Sequence, residues 1–222
     1  MKVNEIFLSI EGEGKRAGLP AVFIRLFGCN IACSYCDTTY ACKGDDYKEM
    51  SIDEIIAEID NYACNNVTVT GGEPLIAQDI ENLLNRLLDE LYDVNVETNG
   101  TKLLPVRRDE FDGTSGTIFY TVDYKCPSSG VEQFMNRETF AQLEPDDVLK
   151  FVVGSQDDLN RAYEVATELE REGLYPQTYF SPVFGSIEPK DIVAFVLENK
   201  LFHCKVQLQL HKYIYPIDMR GV

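Results

Sequence analysis

Positive charge and long apolar runs are both scarce in this 222-residue chain. It carries 20 Lys and Arg residues against 37 Asp and Glu residues, which gives a formal net charge of −17 at pH 7. Broad binding to a phosphate backbone needs a basic surface, so the composition argues against a nucleic-acid-binding protein and favours a small-molecule substrate. No apolar run approaches the roughly 18 residues that cross a bilayer. Residues 1–5 lack the apolar segment of a secretion signal, and we therefore expect a cytoplasmic protein with no membrane partner.

Histidine is nearly absent, and cysteine is present in an odd number. The chain has two histidines and seven cysteines. An odd cysteine count without a secretion signal argues against a disulfide framework. Three of the cysteines, Cys29, Cys33 and Cys36, form a C-x3-C-x2-C triplet directly after the apolar run 21–27. Three thiolates from one loop can hold three irons of a four-iron, four-sulfur cluster, whereas the sites of such clusters are usually all filled by cysteine. The triplet therefore indicates a cluster that does chemistry at its open corner.

A zinc site is the alternative interpretation of the same cysteines. Zinc usually takes paired C-x2-C motifs or such a pair with histidine. A fourth ligand would have to come from His203, His211, Cys42 or Cys64. The spacing favours the cluster but leaves zinc open.

The pattern of apolar segments predicts an α/β fold. β-Branched runs alternate with amphipathic segments, which is typical of a mainly parallel sheet with helical crossovers. A complete eight-unit barrel typically takes about 250 residues, so we expect one domain over residues 1–222 with an incomplete, TIM-like barrel. The predicted strands are 21–27, 67–70, 94–98, 118–124, 148–153, 177–181 and 204–210. The predicted helices are 51–63, 78–92, 156–172 and 188–199, the first capped by Ser51 and Glu54.

Unusual residues cluster where the predicted strands end. The cysteine loop (residues 28–38) follows the first strand, and the later strand ends are followed by G-G-E-P (71–74), E-T-N-G (97–100), D-Y-K-C-P-S-S-G (123–130) and H-K (211–212). The carboxyl ends of strands in barrel-like sheets form one face, and sites are built there. The five strand ends are therefore expected to converge on one cleft.

Single residues in these segments have plausible roles of their own. Arg25 interrupts an apolar strand, so its charge must be paired or face a polar cavity; Arg25 and Lys125 can each bind a carboxylate, Arg25 bidentately. Gly71 and Gly72 allow a close backbone approach. The oxygen donors of residues 37–39 suit a hard cation such as Mg²⁺.

The C-x3-C-x2-C triplet followed by G-G-E-P resembles the radical S-adenosylmethionine superfamily. Within it, the chain is similar to the 7-carboxy-7-deazaguanine synthase family over about residues 4–216. The resemblance rests on S-I-E-G-E-G (9–14), F-I-R-L-F-G-C-N (23–30), C-D-T (36–38), T-G-G-E-P (70–74), E-T-N-G (97–100), D-Y-K-C-P-S-S-G (123–130) and H-K (211–212).

The resemblance implies a role for each matching residue. A [4Fe–4S] cluster would be ligated by Cys29, Cys33 and Cys36, and Mg²⁺ by Thr38. The S-adenosylmethionine site would be lined by Tyr35, Cys36, Asp37, Gly72, Glu97, Asn99, Asp123, Tyr124 and Lys125. The substrate would be contacted by Ile10, Glu11, Gly12, Arg25, Thr70 and Pro216, with Arg25 on its carboxylate. The catalytic groups would be Arg25, Glu13 and His211.

The resemblance also implies a reaction and partners. A radical derived from adenosylmethionine would convert 6-carboxy-5,6,7,8-tetrahydropterin to 7-carboxy-7-deazaguanine with loss of ammonia, in the biosynthesis of queuosine and other 7-deazapurines. The protein would be a homodimer that receives electrons from a flavodoxin- or ferredoxin-type donor. Residues 211–222 would close the substrate pocket, although six residues follow Pro216 here.

Two other functions remain open from the sequence. A glycyl-radical activase belongs to the same superfamily but would not need residues 10–14, Arg25 and Thr38 around a small carboxylated substrate. A non-catalytic iron–sulfur or zinc protein would not need the converging strand ends.

Overall fold

One sheet carries the fold in the computed structural model of the protein, which describes residues 1–106, 114–216 and 219–222. The strands of the described residues are β1 (Lys2–Ile10), β2 (Pro20–Leu26), β3 (Lys48–Glu49), β4 (Asn66–Gly71), β5 (Asp93–Thr98), β6 (Ile118–Lys125), β7 (Val148–Val153), β8 (Gln177–Pro182) and β9 (Lys205–Val206). The helices of the same residues are α1 (Ile52–Asp60), α2 (Ile80–Asp89), α3 (Arg137–Ala141), α4 (Gln156–Arg171), α5 (Pro189–Glu198) and α6 (His211–Ile214).

The strand order is β3-β1-β2-β4-β5-β6-β7-β8-β9. Strand β1 is antiparallel to both of its neighbours, and the pairs from β2 to β9 are all parallel. Because β3 and β9 lie at opposite ends of the order, the sheet does not close on itself. The architecture is the incomplete, mainly parallel α/β barrel that the sequence predicts.

Alternation along the strands separates an apolar outer face from an inner face that carries many of the buried polar side chains. On β4, Val67 and Val69 belong to the hydrophobic core, which also contains the leucines of α2 and the isoleucines of α1. Thr68 and Thr70 point the other way, and Thr70 Oγ1 donates to Glu97 Oε2 on β5 at 3.0 Å. Parallel strands that are covered on both faces usually read as continuous apolar runs. The polar inner face shows that this sheet encloses a site rather than a second core.

The open side of the barrel is bridged by two segments that are far apart in sequence. The loop between β1 and β2 (residues 11–19, the hairpin loop) meets the segment that follows β9. Gly14 N donates to Gln207 Oε1 at 2.6 Å, and Gln207 Nε2 donates to Gly14 O at 2.9 Å. Leu210 N donates to Gly12 O at 2.8 Å. These bonds satisfy backbone groups that an open sheet would otherwise expose.

The structure corrects several of the predicted strands and helices. Residues 204–210 form a strand only at Lys205–Val206: the Gln207 amide still donates to Phe180 O on β8 at 2.9 Å, whereas the Gln207 side chain and Leu210 N bond to the hairpin loop. Strands β1 and β3 and helices α3 and α6 were not predicted. The capping box of Ser51 and Glu54 is confirmed at the start of α1. In the described part of the chain, no helix combines the length and apolar character needed to span a membrane.

Candidate active site

The site lies at the carboxyl edge of the parallel strands. The cysteine loop follows β2, the Gly-Gly segment follows β4, and Glu97 and Asn99 lie at the end of β5. Asp123 and Lys125 lie at the end of β6. His211 reaches the same region by another route, since it follows an irregular segment rather than a strand. Its ring packs on the hairpin loop, because a Cβ on Gly12 would lie 2.2 Å from His211 Nδ1.

The three predicted cluster cysteines are half-buried and free of disulfides. Hydrogen bonds from Cys42 lower the pKa values of Cys29 and Cys36 to about 6, against the opposing effect of burial. Burial raises the pKa of Cys33. Cys42, which the sequence analysis named only as a possible zinc ligand, has its Sγ 3.4 Å from Thr38 O, so its single S–H has three alternative acceptors. Because the thiolate is the metal-binding form of cysteine, this loop suits an iron–sulfur cluster.

The described residues do not form a zinc site. In the ranges that the structure describes, no group of three or more His, Cys, Asp or Glu side chains is arranged to hold a metal ion. A structural zinc ion needs four ligands around one point. In a four-iron cluster, by contrast, each thiolate binds a different iron, so the ligands stand farther apart.

The Gly-Gly segment fixes the start of the cysteine loop. Gly72 N donates to Leu26 O at 3.2 Å, and Glu73 N donates to Gly28 O at 2.8 Å. A Cβ on Gly72 would lie 2.3 Å from Gly28 O and 2.8 Å from Cys29 Cβ. The close backbone approach expected of these glycines is therefore made to the cysteine loop itself.

Glu73 joins three of the converging segments, a role that the sequence analysis missed. Its buried carboxylate accepts hydrogen bonds from Leu75 N at 2.9 Å, Thr98 Oγ1 at 2.7 Å and Asn99 N at 2.7 Å. Burial raises the pKa of Glu73 to about 7, although these hydrogen bonds oppose the rise. Asn99 Nδ2 in turn lies 3.8 Å from Cys29 Sγ. The only sequence signal was the position of Glu73 in G-G-E-P.

The candidate cofactor residues divide between the two faces of the sheet. Asp123 and Lys125 face inwards and form an ion pair at 2.6 Å. Tyr35 OH reaches Val152 O at 3.5 Å, and burial raises its pKa. Tyr124 faces the outer core, where its hydroxyl donates to Glu132 Oε1 at 2.8 Å. Only the backbone of Tyr124 is on the side of the site, as the two-residue period of a strand requires.

Arg25 lies on the inner face and is paired, as its burial demands. Its Nε donates to Glu5 Oε1 at 2.7 Å, and Tyr40 OH donates to the same oxygen at 3.1 Å. The guanidinium also lies over the rings of Phe7 and Tyr40, at 5.6 and 6.0 Å from their centroids. A guanidinium has five N–H donors, so the Glu5 bond leaves further donors for a ligand carboxylate.

Glu11 is held in a buried ion pair with Arg16, a residue that the sequence analysis did not single out. Glu11 is 1% exposed. Its Oε1 accepts from Arg16 at 3.0 Å and from the Thr68 hydroxyl. Arg16 also donates to the carbonyls of Val67 and Asp93 at 3.0 and 2.8 Å. Burial raises the pKa of Glu11, against the attraction of Arg16. The pair anchors the hairpin loop inside the barrel, and substrate contact by Glu11 stays a prediction.

A second buried cation, Lys150 on β7, was also missed. Its Nζ lies 2.5 Å from Glu13 Oε1 and 2.9 Å from Asp123 Oδ1. Burial alone would lower the pKa of Lys150, but the two carboxylates outweigh it and hold the pKa well above its usual range. Lys150 interrupts the apolar run 148–153, which is the same signal that singled out Arg25.

The C-terminal segment contacts the cysteine loop. Lys212 Nζ lies 2.9 Å from Asp37 Oδ2. Burial raises the pKa of Asp37, but Lys212 outweighs it and holds the pKa at about 2. Burial lowers the pKa of His211 and so disfavours its protonated form, while the nearby Glu13 carboxylate opposes this. Thr38 Oγ1, the predicted Mg²⁺ ligand, donates to Asp37 Oδ1 at 3.0 Å.

The tail after α6 is only partly described. Pro216 is exposed, and residues 217 and 218 of the predicted pocket lid lie outside the described ranges. Arg220 returns to the barrel, with its guanidinium 3.7 Å from the centroid of the Tyr40 ring and 2.8 Å from Asp46 Oδ2. Closure of the pocket by residues 211–222 remains a prediction. Ile10 lies half-buried at the end of β1, beside the hairpin loop.

Substituting Gly72 by alanine tests how the cysteine loop is held. The added Cβ overlaps Gly28 O, so the loop must shift. Overpacking of this kind costs about 1–3 kcal/mol, and we expect Gly72→Ala to retain clearly less iron after anaerobic reconstitution. The control is Gly173→Ala, which has a positive φ but no atom within 4 Å of the new Cβ. Equal iron content in both variants, at equal loss of stability, would contradict the proposed contact.

The raised pKa of Glu97 predicts that the stability of the protein depends on pH. Burial raises its pKa from 4.5 to about 7, with nearby carboxylates adding to the rise and Lys150 opposing it. The folded state therefore binds more protons between these two pH values, and the free energy of unfolding falls as the pH rises from about 4.5 to about 7. We expect Glu97→Gln to show a smaller fall in urea titrations across this window. Exposed Glu58→Gln is the control, and identical slopes for both variants would contradict the assignment.

Comparisons with known proteins agree with this geometry. The profile of the Radical SAM superfamily matches residues 23–196. A 7-carboxy-7-deazaguanine synthase of Clostridium acetobutylicum is 44% identical over 225 residues, covering 100% of this chain and 99% of its own. That of Methanospirillum hungatei is 38% identical over 215 residues, covering 96% and 85%.

Solved structures share the fold. The crystal structure of QueE from Escherichia coli superposes with a TM-score of 0.70 at 20% identity and covers 94% of this chain and 93% of its own. Streptococcus suis SuiB bound to S-adenosylmethionine gives a TM-score of 0.57 at 13% identity, covering 87% and 53%. At these sequence identities the two structures support the fold and nothing further.

Proposed function

Because this chain belongs to the 7-carboxy-7-deazaguanine synthase family of radical S-adenosylmethionine enzymes, we propose that it converts 6-carboxy-5,6,7,8-tetrahydropterin to 7-carboxy-7-deazaguanine and ammonia. The observation that carries the proposal is the similarity to the Clostridium synthase over the full length of both chains. The activase and the non-catalytic iron–sulfur protein are not favoured, since the relatives compared above are synthases.

The residues present fit the cofactors of the superfamily. Cys29, Cys33 and Cys36 would bind the [4Fe–4S] cluster, which suits their free, half-buried thiols. S-Adenosylmethionine would lie between the cysteine loop and the ends of β4, β5 and β6, against Gly72, Asn99 and the ion pair of Asp123 with Lys125. When bound, the two cofactors together supply one-electron chemistry that removes a hydrogen atom from the substrate and returns it.

The substrate would occupy the polar inner face of the barrel. Its carboxylate would bind the free N–H donors of Arg25, while Glu5 holds Nε. Thr70 and Glu97 line the same face and are hydrogen-bonded to each other. Thr38 would contribute a ligand to Mg²⁺, a hard cation that takes few protein oxygens and keeps several waters.

Loss of ammonia requires that a proton reach the leaving nitrogen. Glu13 and His211 are the candidates for this transfer, since both lie beside Gly12 at the hairpin loop. The lowered pKa of His211 favours the neutral imidazole, which can take a proton from the substrate and then pass it to the leaving nitrogen. Glu13 Oε2 is buried with no hydrogen-bond partner among the described residues, which leaves an acceptor for a substrate N–H.

The remaining parts of the proposal concern assembly and location. We propose a cytoplasmic homodimer that is reduced by a flavodoxin- or ferredoxin-type protein. The net charge of −17 supports a small-molecule substrate over nucleic acid.

Product analysis with an Arg25 variant tests the proposal. Reconstituted protein, given adenosylmethionine, Mg²⁺, a reductant and the carboxytetrahydropterin without oxygen, should form 7-carboxy-7-deazaguanine detectable by mass spectrometry. Charge-assisted hydrogen bonds are worth about 1.5–3 kcal/mol, so Arg25→Ala should raise the KM for the pterin roughly 10- to 100-fold. Binding of adenosylmethionine should not change.

Two controls separate substrate binding from folding. Arg171→Ala removes an exposed arginine of α4 and should behave as the unsubstituted enzyme. The double variant Arg25→Ala/Glu5→Gln relieves the unpaired carboxylate and should keep the raised KM. A normal KM in the folded Arg25→Ala protein would refute the substrate assignment. Cleavage of adenosylmethionine without the deazaguanine product would mean that the substrate is wrong.

A further inference from the structure

Lys150 is a charged residue in surroundings that exclude water. It lies on β7, whose six residues are all buried. The lysine itself is only 4% exposed, and Val148 and Val152 flank it on the inner face. Lysine is almost never found at such a depth unless it is paired. Its position therefore calls for an explanation beyond packing.

The ammonium of Lys150 joins two carboxylates from different elements. Glu13 belongs to the hairpin loop and lies 137 residues away in sequence, with Oε1 at 2.5 Å from Nζ. Asp123 lies directly across the β6–β7 ladder, with Oδ1 at 2.9 Å. Without the cation, the two carboxylates would face each other across one buried position, where like charges repel strongly.

The two carboxylates belong to the two different ligand sites proposed above. Asp123 also pairs with Lys125 at 2.6 Å, on the side proposed for adenosylmethionine. Glu13 lies on the side proposed for the substrate, next to Gly12 and His211. With Oε1 bound to Lys150, the other oxygen of Glu13 is buried and has no hydrogen-bond partner among the described residues. An unpaired buried acceptor of this kind fits an N–H donor that a ligand brings.

We propose that Lys150 is a positioning residue that holds Glu13 and Asp123 in one unit, so that the substrate side and the cofactor side of the cavity are fixed relative to each other. The inference rests on the proposed function. In this assignment Lys150 acts through the two carboxylates with which its ammonium pairs. Its effect is transmitted through the direction in which each carboxylate points. Binding of one ligand should therefore depend on the other through this residue.

The test compares four variants of the reconstituted full-length enzyme. Lys150→Met removes the charge, and Lys150→Arg keeps it. Glu13→Gln/Lys150→Met removes the charge together with one partner, which guards against failure to fold. Lys190→Met removes an exposed lysine of α5 and is the matched control. Two quantities are measured without oxygen: kcat and KM for the carboxytetrahydropterin, and the Kd of adenosylmethionine with and without that substrate.

The proposal predicts a pattern that a purely structural role would not produce. Lys150→Met should raise both the KM for the pterin and the Kd of adenosylmethionine about tenfold or more, the usual effect of leaving a buried charged group unpaired. It should also abolish the effect of substrate on the Kd of adenosylmethionine. Lys150→Arg should restore most of the affinity for the pterin and for adenosylmethionine. Glu13→Gln/Lys150→Met should recover thermal stability but keep the raised KM.

Three results would overturn the proposal. The first is a folded, iron-loaded Lys150→Met enzyme with unchanged KM and Kd. The second is a loss of thermal stability alone, with normal binding in the folded fraction. The third concerns the case in which the unsubstituted enzyme does not turn over the pterin, so that the proposed function itself has failed. An unchanged Kd of adenosylmethionine in Lys150→Met would then overturn the role of Lys150 as well. A raised Kd would instead support its role in positioning Asp123 at the adenosylmethionine site.

Discussion

Main-chain contacts between the cysteine loop and the carboxyl edge of the sheet are the constraint on which the rest of the structure depends. Gly72 and Glu73 donate their amides to Leu26 and Gly28, and the space between the segments leaves no room for a Cβ at residue 72. The Glu73 carboxylate extends the same attachment to Asn99, which reaches Cys29. Because the loop is fixed by backbone groups and one buried carboxylate, the thiols are positioned before any cofactor binds, which is the requirement for a preorganised site.

The second organising feature is the division of each strand into an apolar and a polar face. The apolar face packs on the helices and supplies the core, while the polar face brings carboxylates and cations into a confined volume. Such charges persist only in pairs. Arg16 forms an ion pair with Glu11, and Lys150 forms ion pairs with Glu13 and Asp123. Arg16 also bonds to Val67 on β4, and Lys150 on β7 binds Glu13 of the hairpin loop. The interactions that balance the charge therefore also attach the hairpin loop to the barrel.

Features that depend on local pattern could be predicted from the sequence, and features that depend on register could not. The long helices, the central parallel strands and the convergence of strand ends follow from apolar periodicity and turn residues. Glu5 lies 20 residues from Arg25 and Lys150 lies 137 residues from Glu13, and a pairing of that kind requires knowing which strands are neighbours. The final predicted strand was wrong beyond Val206, where the chain leaves β8 and Leu210 N bonds to the hairpin loop. Glu73 was quoted in its motif without a role, since nothing local shows that its carboxylate binds the end of β5.

The central claim, that Cys29, Cys33 and Cys36 would leave one iron of the cluster open towards the inner face of the barrel, is tested most directly by electron paramagnetic resonance. The reduced, reconstituted protein would be measured with and without adenosylmethionine, with Cys42→Ser as a companion because Cys42 is hydrogen-bonded to Cys29 and Cys36. An open iron predicts a spectrum that changes when adenosylmethionine is added, in both proteins. A spectrum that adenosylmethionine leaves unchanged, from a protein with a full complement of iron, would contradict the claim, since every iron would then already carry a ligand from the protein.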